Sequence, residues 1–155
     1  MIAINNLTFG YNNKLIFNQA SLVLPDKGVI ILKGDNGSGK STLLKIISCD
    51  LINDDIQLEY NHIAINETNR NYLTNHITYI TQTNNFVSFL NASENASLNN
   101  LINNKEINPL TLLNNEKFKN KKENQLSNGE KVLITLERAI NENKDIILLM
   151  NVVIF

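Results

Sequence analysis

Cysteine is nearly absent from this chain: 155 residues contain one, Cys49. A single thiol excludes an internal disulfide and any metal site built on cysteine pairs. It lies at an apolar helix end, where a small buried side chain is its expected role. An excess of charge of either sign is also missing, with a formal net charge of -1. No global basic field therefore argues for nucleic acid. Apolar runs approaching the ~20 residues needed to span a bilayer are absent. The start, Met1-Ile2-Ala3-Ile4-Asn5-Asn6, lacks the basic opening and long apolar core of a signal peptide, so a cytoplasmic chain is expected. There are no internal repeats and no interdomain linker. Hydrophobic residues at 43% and charged residues at 19% give globular composition, and the length suits one domain with a real core.

Asparagine is abundant, at 29 residues. Apolar periodicity persists through it, which argues for compositional bias and against a prion-like tract. The most informative stretch is Gly34-Asp35-Asn36-Gly37-Ser38-Gly39-Lys40-Ser41-Thr42. Two glycines separated by four residues and followed by Lys-Ser fit the phosphate-loop pattern. Residues 28–33 read as a buried strand before it, and Leu43-Leu44-Lys45-Ile46-Ile47 as the first turns of a helix running to about residue 49. Glycines let such a loop curl so that its N–H groups face phosphate oxygens. The helix N-terminus adds partial positive charge at the same place. Lys40 is expected to reach the β- and γ-phosphates and the Ser41 hydroxyl to ligate Mg²⁺.

Around this loop, Ile2, Ile4 and Leu7 begin an alternating strand, residues 15–24 form another, and Pro25-Asp26-Lys27-Gly28 is a turn. Residues 56–60 alternate as an exposed strand should, and residues 76–80 form a further strand. From Ser93 to about Asn124 the pattern is polar and helical. Ser93-Glu94-Asn95 caps one predicted helix, and Pro109 starts the next. Lys117, Lys119, Lys121 and Lys122 read as a solvated helix face in preference to an anion site. Gln125-Leu126-Ser127-Asn128-Gly129-Glu130 opens a helix whose apolar face is predicted to carry Val132, Leu133, Leu136 and Ile140. Residues 146–150 are a continuous apolar run of strand length, typical of a central parallel strand.

In this order the motifs resemble the ATP-binding domain of ABC transporters, over nearly all 155 residues. The resemblance implies an α/β, P-loop NTPase core of the ABC ATPase type. It also implies an antiparallel β subdomain, a small helical subdomain at about residues 86–140, and C-terminal strands missing. Phe9-Gly10-Tyr11 is similar to the family's A-loop, where a tyrosine stacks on adenine; the alternative for Tyr11 is a surface turn residue. Tyr79-Ile80-Thr81-Gln82 resembles the Q-loop, whose glutamine sits near Mg²⁺. The residues after it, Phe86, Phe89-Leu90 and Ser93-Glu94-Asn95, resemble the segment that contacts membrane subunits. Leu126-Ser127-Asn128-Gly129-Glu130 is similar to the signature motif, usually Leu-Ser-Gly-Gly-Gln, which closes on the γ-phosphate held by another subunit. Asn128 stands for a glycine, a replacement suited to asparagine if the position needs a left-handed backbone. Glu130 stands for glutamine and brings negative charge near a bound phosphate.

The implied ligands are ATP and Mg²⁺, held by Tyr11, Gly34 to Thr42 and Gln82 in cis, with Ser127 and Gly129 in trans and Ser41 and Gln82 at the metal. The implied partners are transmembrane subunits and a second ATP-binding domain, in a homo- or heterodimer at the inner face of the cell membrane. No nucleic acid is expected. One part of the pattern fails. Where the family carries an Asp and then a catalytic Glu, the run Ile146 to Leu149 leads into Met150 and Asn151. Met has no hard oxygen for Mg²⁺ and Asn is no proton acceptor at neutral pH. Asp145 lies at the wrong end of the strand, and His62 and His76 lie too far upstream for the family's switch histidine. No catalytic residue is intact, and hydrolysis by this chain alone is expected to be very weak. Three readings stay open: a transporter subunit, a soluble ABC-type ATPase, and a non-hydrolysing nucleotide-sensing partner or inert truncated remnant.

Overall fold

The computed structural model describes residues 1–12, 14–53, 55–81 and 86–150. They fall into two compact units, Met1–Ile77 and Thr78–Phe155.

In the first unit, β1 (Ile2–Tyr11) and β2 (Lys14–Leu24) form a long antiparallel hairpin. The phosphate loop leads from it into α1 (Lys40–Ile47). Then β3 (Gln57–Tyr60) and β4 (Ile63–Ile65) complete a four-stranded antiparallel sheet of order β2-β1-β3-β4. The hairpin is interrupted where Asn6 and Gln19 both take φ of 50°. Their N–H groups leave the ladder and donate to Ser21 Oγ and Thr8 Oγ1, each at 3.1 Å. These are bulges, and each is satisfied by a hydroxyl from the facing strand. Ile2, Ala3, Ile4 and Leu7 of β1, Leu58 and Tyr60 of β3 and Ile65 of β4 are buried, together with Ile46 and Ile47 of α1. The strand predicted at 56–60 is thus half buried, because Leu58 and Tyr60 on its alternate positions carry the core. The short helix α2 (Asn71–Thr74) buries Leu73.

Residues 28–33 differ from the expectation of a buried strand. None of them belongs to a strand, and Val29 and Ile31 are 93% and 73% exposed. A strand exists only through a ladder partner, and no described strand pairs with this segment. The apolar run is real; its partner is lacking among the described residues.

The second unit pairs β5 (Ile77–Ile80, whose last three residues lie in it) with β6 (Ile146–Leu149). Between them come α3 (Ala92–Ala96), α4 (Leu98–Ile102), α5 (Asn115–Phe118), a 3₁₀ turn at Glu123–Gln125, and α6 (Asn128–Asn141). Ala92, Ala96, Leu110, Phe118, Leu126 and Ile134 form its core, with Phe86 and Leu113 packed against them. Asn91, and not Ser93, caps α3. Its side chain accepts from Glu94 N while Glu94 Oε2 accepts from Asn91 N, a reciprocal pair at 2.9 and 2.7 Å. Pro109 starts no helix. Asn114 caps α5 instead, accepting from Lys117 N at 3.0 Å. On α6 the buried side chains are Ile134, Glu137 and Ala139, while Ile140 is 49% exposed. The inward stripe is therefore rotated from the one the aliphatic spacing suggests, because a carboxylate occupies part of it.

Candidate functional site

The phosphate loop is built by backbone geometry. Gly37 and Gly39 take φ of 82° and 94°, a left-handed region open to glycine. Gly39 has a second reason to lack a side chain: a Cβ there would stand 2.5 Å from Ile16 Cγ2 and 2.8 Å from Phe17 Cζ. Strand β2 thus presses directly on the last glycine of the loop. Gly39 also opens α1, its carbonyl accepting from Leu43 N at 2.8 Å, with no side chain capping the helix. The N–H groups of the first turn are therefore left to be satisfied from outside the helix.

Lys40 turns back over the loop. Its Nζ donates to the carbonyls of Gly34 and Asp35, both at 2.7 Å, and to Ser38 Oγ at 3.4 Å. The ammonium is thus held against its own loop, next to a helix start that no side chain caps. Residues 34–38 and Ser41 are exposed, while Gly39 and Thr42 are buried. The loop thus faces solvent over a buried floor.

Tyr11 lies at the end of β1, opposite Lys14 and 45% exposed. Its ring meets Phe9 edge-on, with centroids 5.1 Å apart. Phe9 in turn sits opposite Phe17, whose ring edges Gly39. Tyr11 and the loop are therefore tied to the same hairpin. Gln82 lies outside the described residues; Thr81 before it is described.

In the second unit, Ser127 caps α6. Its Oγ accepts from Glu130 N at 3.3 Å, and Glu130 Oε2 accepts from Ser127 N at 2.6 Å. Hydrogen bonding to the carboxyl from the Ser127 backbone N–H, and secondarily from its hydroxyl, holds Glu130 below its ordinary range. Asn128 needs no left-handed backbone here: it is the first helical residue of α6, with no positive φ. Gly129 faces open space. At the end of β6, Met150 N donates to Ile80 O at 3.0 Å, and Tyr79 Oη approaches Met150 Sδ at 3.3 Å. A thioether, and no carboxylate, stands at residue 150; Asn151 lies outside the described residues.

The donor set for Mg²⁺ is sparse. Among the described residues no group of three or more His, Cys, Asp or Glu side chains could hold a metal ion. The exposed Ser41 hydroxyl at the start of α1 suits an ion that arrives on phosphate oxygens and keeps several waters.

Residues 17–150 match the family model of the ABC transporter. The chain belongs to the ABC transporter ATP-binding family. It is 31% identical to the ergothioneine transport ATP-binding protein EgtV of Helicobacter pylori, over 96% of this chain and 73% of that protein. It is 26% identical to the zinc import ATP-binding protein ZnuC of Ehrlichia chaffeensis, over 96% of this chain and 59% of that protein. Among solved structures it is similar to dimeric MJ0796, a bacterial ABC transporter cassette. The TM-score is 0.74 at 24% identity, over 96% of this chain and 73% of that one. An ABC transporter ATP-binding protein from Pyrococcus furiosus gives 0.75 at 20% identity, over 96% and 74%. These structural likenesses establish the ABC ATPase fold. In this ABC cassette no described helix is long and apolar enough to cross a membrane.

The phosphate-loop pattern was legible from spacing, whereas the positions of Tyr11, Gln82, Ser127 and Gly129 rested on the family resemblance. The roles of three residues of the second unit were legible from neither: Asn95, which is completely buried and caps no helix, Glu137 and Arg138. Glu137 is 2% exposed and accepts from Thr111 N, from Thr111 Oγ1 at 2.8 Å and from Leu112 N at 3.3 Å. A charged residue inside an apolar helix stripe is the signal that could have marked it.

Proposed function

We propose that this chain is the nucleotide-binding subunit of an ABC transporter, a single ATPase domain over residues 1–155 with its helical subdomain at about 86–140. The observation that carries the reading is the curled loop at 34–42 with Lys40 Nζ folded over it, at the uncapped start of α1. In this reading the N–H groups of Gly34 to Thr42 receive the phosphates of ATP, and Lys40 exchanges its two carbonyl partners for β- and γ-phosphate oxygens. Tyr11 offers its half-exposed ring to adenine. Ser41, with Gln82, holds Mg²⁺, which neutralises phosphate charge when bound. Ser127 and Gly129, at the start of α6, meet the γ-phosphate of a second ATP-binding domain, and the segment after Gln82 meets transmembrane subunits at the cytoplasmic face. The named relatives are transport ATP-binding proteins, which supports the transport sense of the reading.

One observation favours a second reading within the same family. Met150 holds a sulfur against Tyr79 where a carboxylate would be needed for hydrolysis. A subunit that binds ATP without splitting it, paired with an intact domain, fits that residue. The test is ATP turnover and nucleotide-dependent association of the purified chain, followed together. The transporter-subunit reading expects ATP-driven self-association or association with an intact ATP-binding domain, with turnover far below the ~1–100 s⁻¹ ordinary for phosphoryl-transfer enzymes. Turnover in that range contradicts the non-hydrolysing reading. Absence of ATP-dependent association with either partner contradicts the subunit reading.

A further inference from the structure

The side chain of Asn95 is completely buried and fully used. Its Oδ1 accepts from Val87 N at 2.9 Å, and its Nδ2 contacts the carbonyls of Val87, Leu90 and Asn91 at 3.1, 3.2 and 3.1 Å. One amide thereby gathers the backbone of residues 87–91. The same residue is gripped from the other side by α6. Arg138 Nε donates to the Asn95 carbonyl at 2.6 Å, and Arg138 Nη2 donates to Asn95 Oδ1 at 2.9 Å. The guanidinium lies 6.0 Å from the Phe86 ring centroid, within cation–π range. Burial lowers the Arg138 pKa, as it would for any cation taken from water. Asn141 Nδ2, one turn on, donates to the Ala96 carbonyl at 3.0 Å.

We propose that Asn95 and Arg138 form a clasp that locks residues 86–91 to α6, so that these residues move as one body with the helix that opens at Ser127. Both are positioning residues. The physical argument is the fork of Arg138: a planar guanidinium with two bonds to one residue fixes orientation as well as distance, which a single bond does not. Asn95 passes that orientation to three carbonyls and an N–H of the segment, all in a buried setting where an unmade bond is costly. Packing of the same helix against Ala92 and Ala96 would allow sliding; the clasp removes it. Its functional sense rests on the nucleotide-subunit reading, because it would join the end of α6 that meets a γ-phosphate to the segment that meets a membrane partner.

The test is amide hydrogen exchange at single-residue resolution on the nucleotide-free full chain. It compares Asn95→Ala, Arg138→Gln, the double variant, and Arg138→Lys as the variant that keeps charge. Val87 N–H reports directly, and the slowest amides of α6 correct for any loss of global stability. Each of Asn95→Ala and Arg138→Gln is expected to speed Val87 exchange about tenfold beyond that correction. The double variant is expected to be no faster than the faster single one, since both break one unit. Arg138→Lys, lacking the fork, is expected to fall between. Unchanged Val87 exchange in Arg138→Gln overturns the clasp, as do effects that multiply in the double variant. A parallel arm adds Mg·ATP and follows the amides of the 34–42 loop. Failure of ATP to protect them in the native chain counts against the nucleotide-site reading and leaves the clasp result standing.

Discussion

Lys40 Nζ stands 2.7 Å from the carbonyl oxygen of Gly34, the first residue of the loop that Lys40 closes. The loop therefore holds its own cation before any anion arrives. Two carbonyls and a hydroxyl keep the ammonium against the loop, so a phosphate entering there meets a charge already placed. The ammonium is already at the loop, but an entering phosphate must replace the two carbonyls that hold it, and that exchange offsets part of the gain.

Gly39→Ala is expected to disrupt the first unit. The new methyl group would overlap Ile16 and Phe17, and φ of 94° strains any L side chain. Overpacking together with left-handed strain costs about 2–5 kcal/mol. Urea unfolding monitored on the native chain and the variant measures it. A loss near zero would mean that β2 does not press on the loop.

Ser127→Ala removes the reciprocal cap of α6. The expected cost is about 1 kcal/mol. The partner carboxylate gives this cap a pH dependence. Glu130 has its folded pKa depressed, so its stabilisation is present above the unfolded value, about 4.3, and is lost as pH falls through the lower folded value. The native chain should therefore lose more stability than Glu130→Gln between pH 5 and pH 3, taken as about two units around that value. Equal losses would mean that the Ser127–Glu130 bonds are not held in solution.

The phosphate loop, the two strands before it and the helix opened by Ser127 were legible in the sequence because each rests on local rules of glycine placement, alternation and capping. The errors arose where a long-range partner decides. Residues 28–33 have the composition of a buried strand, yet Val29 and Ile31 are exposed because no described strand pairs with them. The inward face of α6 was assigned to Val132, Leu133, Leu136 and Ile140 by hydrophobicity. The structure gives part of it to Glu137, whose burial is made possible by Thr111 and Leu112, more than twenty residues away in sequence. Ser93 and Asn91 are both good caps by residue type; the one whose amide meets Glu94 in the fold is Asn91.

Glu137→Leu tests that buried carboxylate. The leucine fills similar volume but leaves the N–H groups of Thr111 and Leu112 without their acceptor. A loss of about 2–4 kcal/mol is expected, from the penalty for unsatisfied buried donors. Glu137→Gln keeps one acceptor oxygen and should lose less. Thermal unfolding of both variants decides; a neutral Glu137→Leu would show that Thr111 and Leu112 find water instead.

Cys49 is 3% exposed, and burial pushes its thiol up to about 11. Since the thiolate is the reactive form, a thiol reagent at pH 8 should label the native chain at least about tenfold more slowly than the urea-unfolded chain. Equal rates would mean that the C-terminal end of α1 opens readily.

The most direct test of the account is calorimetric titration of the purified chain with Mg·ATP, beside the same titration of Lys40→Ala. Micromolar binding by the native chain is predicted, and removal of the charge-assisted bonds of Lys40 should weaken it at least about tenfold. Binding that is equally tight in Lys40→Ala, or absent in a folded native chain, would contradict the claim that residues 34–42 form its nucleotide site.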